Sequence, residues 1–186
     1  MRKLKLQMQV SIDGFVAGPD GQLDWLTWTW DNPLMEFVSD LTKSVDTILM
    51  GRKMADGFMR HWEAAVNNPE DPSQSFARLM VDYPKIIFSK TNQTVTGLNA
   101  SMATHPLAEE VNALKQQPGK DIIVYGGAGF VSSLIENNLI DELHLFLNPT
   151  AIGEGMRIFS GHTPLQLDSS VKYDCGIVVN KYVQSK

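Results

Sequence analysis

Apolar residues occupy every second position over residues 3–10, where Leu4, Leu6, Met8 and Val10 alternate with polar neighbours. A period of two predicts a half-buried strand. The alternation stops at "DGFVAGPDGQLDW" (13–25), whose glycines and proline predict a long ordered loop. From Asp31 the period lengthens to that of a helix. Asp31 or Asn32 can cap it, Pro33 suits its first turn, and Leu34, Phe37, Val38 and Leu41 make one face. "TILMGRKMADGF" (47–58) reads as a buried strand running through Gly51 into a short helix.

Residues 60–84 carry a weaker pattern. "NNPEDPSQ" (67–74) is a polar, proline-bearing connection, and "SQSFARLMVDY" (73–83) has helical character. "KIIFS" (85–89) is a strand ending in the polar cluster "SKTNQT" (89–94), and another strand is expected near "LNASMAT" (98–104). A helix should run from Pro106 to Gln116, stopped by Pro118-Gly119. "IIVYGGAGFVSSLI" (122–135) supplies strand, glycine turn and helix, and "IDELHLFLNPTAIGEG" (140–155) a strand and a loop. "LQLDSSVKYDCGIVVNKYVQ" (165–184) closes the chain as a hairpin. Strands alternate with helices until the end and then follow one another. The expectation is one α/β domain over residues 1–186, a mostly parallel sheet flanked by helices with antiparallel C-terminal strands.

Composition changes this picture little. Of 186 residues, 43% are apolar and 20% charged, an ordinary globular balance, and the net charge of -5 speaks against a nucleic-acid surface. Cys175 is the one cysteine, so no disulfide within the chain and no cysteine-based zinc site is expected. His61, His105, His144 and His162 lack ligand spacing, so no metal is expected. No run reaches the length of a membrane span and the start does not read as a signal peptide, so the expected location is the cytoplasm.

The candidate chemistry lies at strand ends. Gly126, Gly127 and Gly129 stand where a strand hands over to a helix. Such a turn exposes backbone N–H groups to a phosphate or simply makes a tight corner. It is not the usual dinucleotide fingerprint, since Ser132 takes the place of the third glycine. Two further strands end in Gly51-Arg52-Lys53 and in Ser89-Lys90-Thr91. In a parallel sheet these ends share one edge, and together they suit a ligand with several phosphates.

These strand ends, in this order, resemble the dihydrofolate reductase superfamily. The similarity is closest to its branch holding the reductase domain of riboflavin biosynthesis (RibD C-terminal domain-like). "SIDGFVAGPDGQLDW", "ILMGRKM", "IIFSKT", "IIVYGGAGF" and "LIDELHLFLNPTAIGEG" carry the resemblance over nearly the whole chain, residues 60–84 apart. It implies a twisted sheet of about eight strands and an NADPH-dependent reductase of a small pyrimidinone- or pterin-like heterocycle. The alternative is an NADP(H)-binding protein of this fold without turnover. By motif, Arg52 and Lys53 would contact the adenosine 2′-phosphate, unless Arg52 pairs with a nearby carboxylate instead. Ser89, Lys90 and Thr91 would border the adenosine end. Gly126, Gly127, Ala128, Gly129 and Phe130 would follow the pyrophosphate and nicotinamide ribose, with a cis bond at Gly126–Gly127. Gly51 belongs to the same set, and Val10, Ala17 and Gly18 would lie near the nicotinamide.

For proton supply the resemblance offers Asp13 and Glu36, or a bound water. Asp13 equally suits a loop-forming aspartate before glycine, and Asp31 looks like a cap. Trp25, Trp28 and Trp30 cluster near the expected substrate mouth. Trp25 suits a lid packed on the sheet, and Trp28 and Trp30 the wall of a flat-ring pocket; Trp25 and Trp28 are the expected substrate-side residues. The resemblance also implies a homodimer, for which "LHLFLNPTAIG" and the last strands are apolar enough to supply an interface.

Overall fold

Eight strands form one sheet in the order β4-β3-β2-β5-β1-β6-β8-β7. They are β1 (Leu4–Ser11), β2 (Val45–Gly51), β3 (Lys85–Phe88), β4 (Ala100–Met102), β5 (Asp121–Val124), β6 (Glu142–Asn148), β7 (Leu165–Lys172) and β8 (Val178–Gln184). The helices are α1 (Asn32–Lys43), α2 (Arg52–Asn67), α3 (Gln74–Asp82), α4 (Leu107–Gln116) and α5 (Ala128–Glu136). This computed structural model describes residues 1–71, 73–91 and 94–185. Pro72 of the polar connection, Asn92 and Gln93 of the cluster after β3, and Lys186 lie outside the described residues.

The strands from β4 to β6 pair in parallel, and β8 and β7 are added antiparallel. The parallel sheet with a C-terminal hairpin expected from the strand pattern is therefore the fold found. On one face Leu41, Ile48, Met50, Met59, Met80 and Ile123 form a core beneath α1, α2 and α3. On the other, Leu4, Leu6, Val124, Val111, Val131 and Leu134 join α4 and α5 to the sheet. Ile48, Leu49, Met50, Ile122, Ile123 and Val124 are wholly buried because β2 and β5 are covered on both sides.

Three expectations need correction. The helix after β2 is not short: α2 runs 16 residues, past Gly57. Gly57 faces open space, while Met54, Phe58 and Trp62, four residues apart, pack onto the sheet, so packing overrides the local cost of glycine. β6 lies between β1 and β8, so "LHLFL" is interior and supplies no interface. The sheet edges are β4 and β7, and on β7 Leu167 is 52% and Val171 45% exposed. Finally, no peptide bond among the described residues is cis; the glycine turn is made by Gly126 at φ +150°, in the region that favours glycine.

Lys85 closes the C-terminus of α3. Its buried ammonium donates to the carbonyl oxygens of Met80 (2.9 Å), Val81 (2.8 Å) and Tyr83 (2.7 Å), taking up the helix's orphan acceptors. Burial pushes this lysine down from 10.5 to about 8, with Glu63 and Asp82 opposing. Between those values the unfolded chain binds the proton and the folded chain does not, so this group makes stability rise with pH across the window. Urea denaturation at pH values just below 8 and near 10 should show that rise reduced in Lys85→Met relative to the wild type.

Candidate functional site

The six parallel strands bring their carboxyl ends to one edge. Reading across it from β3 to β6, the groups met are Ser89–Thr91, Gly51–Arg52, Gly126–Ala128, Ser11–Asp13 and Asn148. The residues expected to bind phosphate thus lie together over β3, β2 and β5. Asp13 and the tryptophan loop lie over β1 and β6.

Two helices start in the first group. α2 begins after Gly51 and α5 after Gly127, and neither has a side-chain cap or an acidic residue in its first turn. Their N–H groups and dipoles therefore face the edge without a neutralising carboxylate. The two ends are close: a Cβ on Gly51 would stand 2.9 Å from the Cβ of Phe130. A Cβ on Gly126 would stand 3.2 Å from the Met54 sulfur and 3.8 Å from Met8 Cε. Small residues are what allow β1, α2 and the glycine turn to converge. Phe130 packs its ring on Phe88, with centroids 5.0 Å apart, so its side chain braces the corner while its backbone lies in the turn.

Arg52 is the first residue of α2. Its Nη1 pairs with Asp56 Oδ2 at 2.7 Å, one turn along the helix, and its Nε is buried with no acceptor. Lys53 is exposed beside it. After β3, Ser89 Oγ accepts from Thr91 N at 3.3 Å, and Lys90 and Thr91 are exposed. By contrast, the corner before α4 is closed by the chain's own carboxylate. Glu110 accepts from the N–H groups of Thr104 (3.1 Å) and His105 (2.9 Å).

On the β1 side, Val10 is buried at the strand end, and the loop behind it is tied down at several points. The Asp13 carboxylate accepts from Ser11 Oγ (2.5 Å), Gly153 N (2.8 Å) and Ile152 N (3.1 Å). The Ser11 hydroxyl and the Gly153 N–H hold this carboxyl below its ordinary value, so it stays ionised. Ala17 bonds to Met156, and the Gly18 N–H donates to Gln22 O at 2.9 Å. Gly155, at φ +157°, lies so near the Ala17 carbonyl that a side chain would collide with it.

The tryptophans divide. Trp30 rests on the buried Phe146 (6.3 Å) and Trp28 on Trp30 (6.4 Å), a stack that runs from the core to a residue 67% exposed. Trp25 is half-buried, its Nε1 donating to Gln22 O at 3.2 Å. Glu36 points outward on α1. Asp31 caps that helix through Leu34 N (2.9 Å) and accepts from Cys175 N (3.0 Å) in the β7–β8 turn.

Asn148 and Gln9 were not anticipated. The wholly buried Asn148 donates to Gln9 Oε1 (2.7 Å) and Phe146 O (3.1 Å) and accepts from Thr27 N (3.0 Å). It clamps the tryptophan loop to the sheet edge. The available signal was the polar residue at the core-facing parity of β6, two positions beyond Phe146. Asn148→Ala would strand the Gln9 oxygen and the Thr27 N–H. Urea denaturation should show a loss of about 1–3 kcal/mol, and amide exchange at Thr27 should quicken.

The RibD C-terminal domain model matches residues 2–179. YyaP of Bacillus subtilis (strain 168), an uncharacterized protein, is 36% identical over 160 residues, covering 85% of this chain and 80% of YyaP. A Shewanella sp. PV-4 protein named for riboflavin biosynthesis superposes with a TM-score of 0.73 at 20% identity, over 100% of both chains. Dihydrofolate reductase from Enterococcus faecalis, complexed with NADP(H), superposes with a TM-score of 0.59 at 15% identity, over 99% of this chain and 97% of its own. The sheet order, the ordered strand ends and these likenesses agree: the chain belongs to the RibD C-terminal domain family, within the dihydrofolate reductase-like fold.

Proposed function

We propose that this protein, acting as one domain over residues 1–186, is an NADPH-dependent reductase of a small pyrimidinone- or pterin-like heterocycle. The observation that carries the reading is the pair of adjacent, glycine-started helix ends at β2 and β5, with Arg52 opening one of them. The buried, unpartnered Nε of Arg52 adds a donor in want of an acceptor. These features fit a pyrophosphate and a 2′-phosphate. The family relationship and the NADP(H) complex of the dihydrofolate reductase neighbour support the same choice.

In this reading the N–H groups of Gly127, Ala128 and Gly129 hold the pyrophosphate beside Phe130, with Gly126 and Gly51 leaving room for it. Arg52 and Lys53 take the 2′-phosphate, and Ser89, Lys90 and Thr91 border the adenosine. Val10, Ala17 and Gly18 line the nicotinamide end, where β1 lies beside β5. When bound, the cofactor supplies the hydride. The substrate lies on the β1–β6 side, against Trp28 and Trp30, with Trp25 holding the loop as a lid.

Proton supply falls to water. Asp13 is ionised and committed to three donors, Asp31 to a cap, and Glu36 faces outward. The same shortage of a poised acid favours a second reading, an NADP(H)-binding protein without turnover. NADPH oxidation against a panel of pterins, pyrimidinones and quinones separates the two. Oxidation with any of them supports the reductase, and binding without oxidation across the panel supports the second reading.

We further propose a cytoplasmic homodimer joined through the exposed β7 edge, where Leu167 and Val171 stand out. Light scattering at micromolar concentration should give twice the mass of the 20.7 kDa chain, and a monomer mass would refute the dimer. Cofactor preference is tested by titrating NADPH and NADH into the wild type and Arg52→Ala. The variant should lose about 10- to 150-fold in NADPH affinity, toward the lower end where Lys53 compensates, with NADH little changed. Unaltered NADPH binding would remove Arg52 from the site.

A further inference from the structure

We propose that Asp56 is a latch on Arg52 that limits how strongly the site favours a 2′-phosphorylated nucleotide over an unphosphorylated one. The inference rests on the reading of Arg52 as the phosphate ligand. A guanidinium binds phosphate best through two parallel N–H groups along one edge of its plane. Here Nη1 of the terminal edge is taken by Asp56 at 2.7 Å, and the other edge contains Nε, which is buried without a partner. The ion pair occupies the terminal edge, and the burial of Nε keeps the second edge from solvent in this arrangement.

A buried donor without an acceptor is costly, so this arrangement is a resting state that a better acceptor can displace. Opening the pair would let the guanidinium turn and offer both nitrogens. Asp56 also opposes the ligand directly, because its carboxylate sits next to where a second, larger negative charge must arrive. The latch is a light one. The Asp56 side chain is 48% exposed and that of Arg52 23%, and ion pairs that reach water are weak. It therefore tunes affinity rather than blocking the site. Lys53 and Lys90, both exposed and without an ion pair among the described residues, add positive charge that does not depend on the latch.

The test is titration of wild type, Asp56→Asn and Asp56→Glu with NADPH, NADH and adenosine 2′,5′-bisphosphate. Asp56→Asn keeps the size and helical position of an exposed side chain, and a thermal melt checks its fold. It should tighten NADPH and the bisphosphate by about three- to ten-fold and leave NADH within about two-fold. Asp56→Glu, which keeps the charge, should bind like the wild type. In an Arg52→Ala background the gain should shrink or vanish. If Asp56→Asn binds NADPH no tighter than wild type while Arg52→Ala still weakens it, Asp56 orients Arg52 instead, and the latch fails while the cofactor reading stands. Equal tightening of NADH would mean a general charge effect and also overturns the latch. If the wild type binds neither cofactor, or Arg52→Ala changes nothing, the cofactor reading falls and takes the latch with it.

Discussion

The parallel pairing of β1 with both neighbours is the constraint on which the candidate site depends. Leu4, Lys5 and Leu6 pair with Ile122, Ile123 and Val124 on one side, and Lys5 to Ser11 pair with Glu142 to Asn148 on the other. That double register sends the ends of β5, β1 and β6 to one edge. The glycine turn, the Asp13 loop and the Asn148 clamp therefore meet although they lie far apart in sequence. A slip of one residue in either pairing would invert the side chains of the slipped strand. Leu4 and Leu6 are wholly buried and Met8 and Val10 nearly so, which makes such a slip costly and fixes the edge.

Polar side chains at this edge mostly hold architecture. Asp13 ties the first loop to residues 152–153, Asp31 ties α1 to the last hairpin, and Asn148 ties the tryptophan loop to β1 and β6. Each satisfies backbone N–H groups that a loop over a sheet edge would otherwise leave without partners. Asp13, one of the two candidate acids, is thus a carboxylate whose hydrogen bonding keeps it charged. In chemical terms this side of the edge combines exposed aromatic rings with carboxylates already committed to backbone donors.

Elements whose information is local were legible in the sequence. The alternation of β1, the Asp31 cap with Pro33, the strand-to-glycine-to-helix passage and the final hairpin all follow from spacing within a few residues. Their order along the chain also led to the fold, because a parallel sheet collects its strand ends. The length of α2 was not legible, since Gly57 looks like a stop until Phe58 and Trp62 are seen packed on the sheet. Nor was the role of Asn148, whose partners Gln9 and Thr27 lie 139 and 121 residues away. The interior place of β6 was missed for a related reason. An apolar strand reads the same whether it is covered by its own chain or by another.

The helix starts show where local stability has been left unclaimed. α1 is capped by the Asp31 carboxylate, and the corner before α4 is served by Glu110. α2 and α5 begin at Gly51 and Gly127, residues with no side chain to accept a hydrogen bond. A capping side chain typically contributes about 0.5–2 kcal/mol, but glycine itself gives up only a few tenths. The sacrifice at each end is therefore small. What it secures is space and unneutralised N–H groups at two helix ends that touch through Gly51 and Phe130. At Gly51 a capping serine or aspartate is also barred on steric grounds, since its Cβ would press on Phe130. Close approach and unneutralised N–H groups thus arise from one choice of residue, the combination on which the proposed phosphate contact rests.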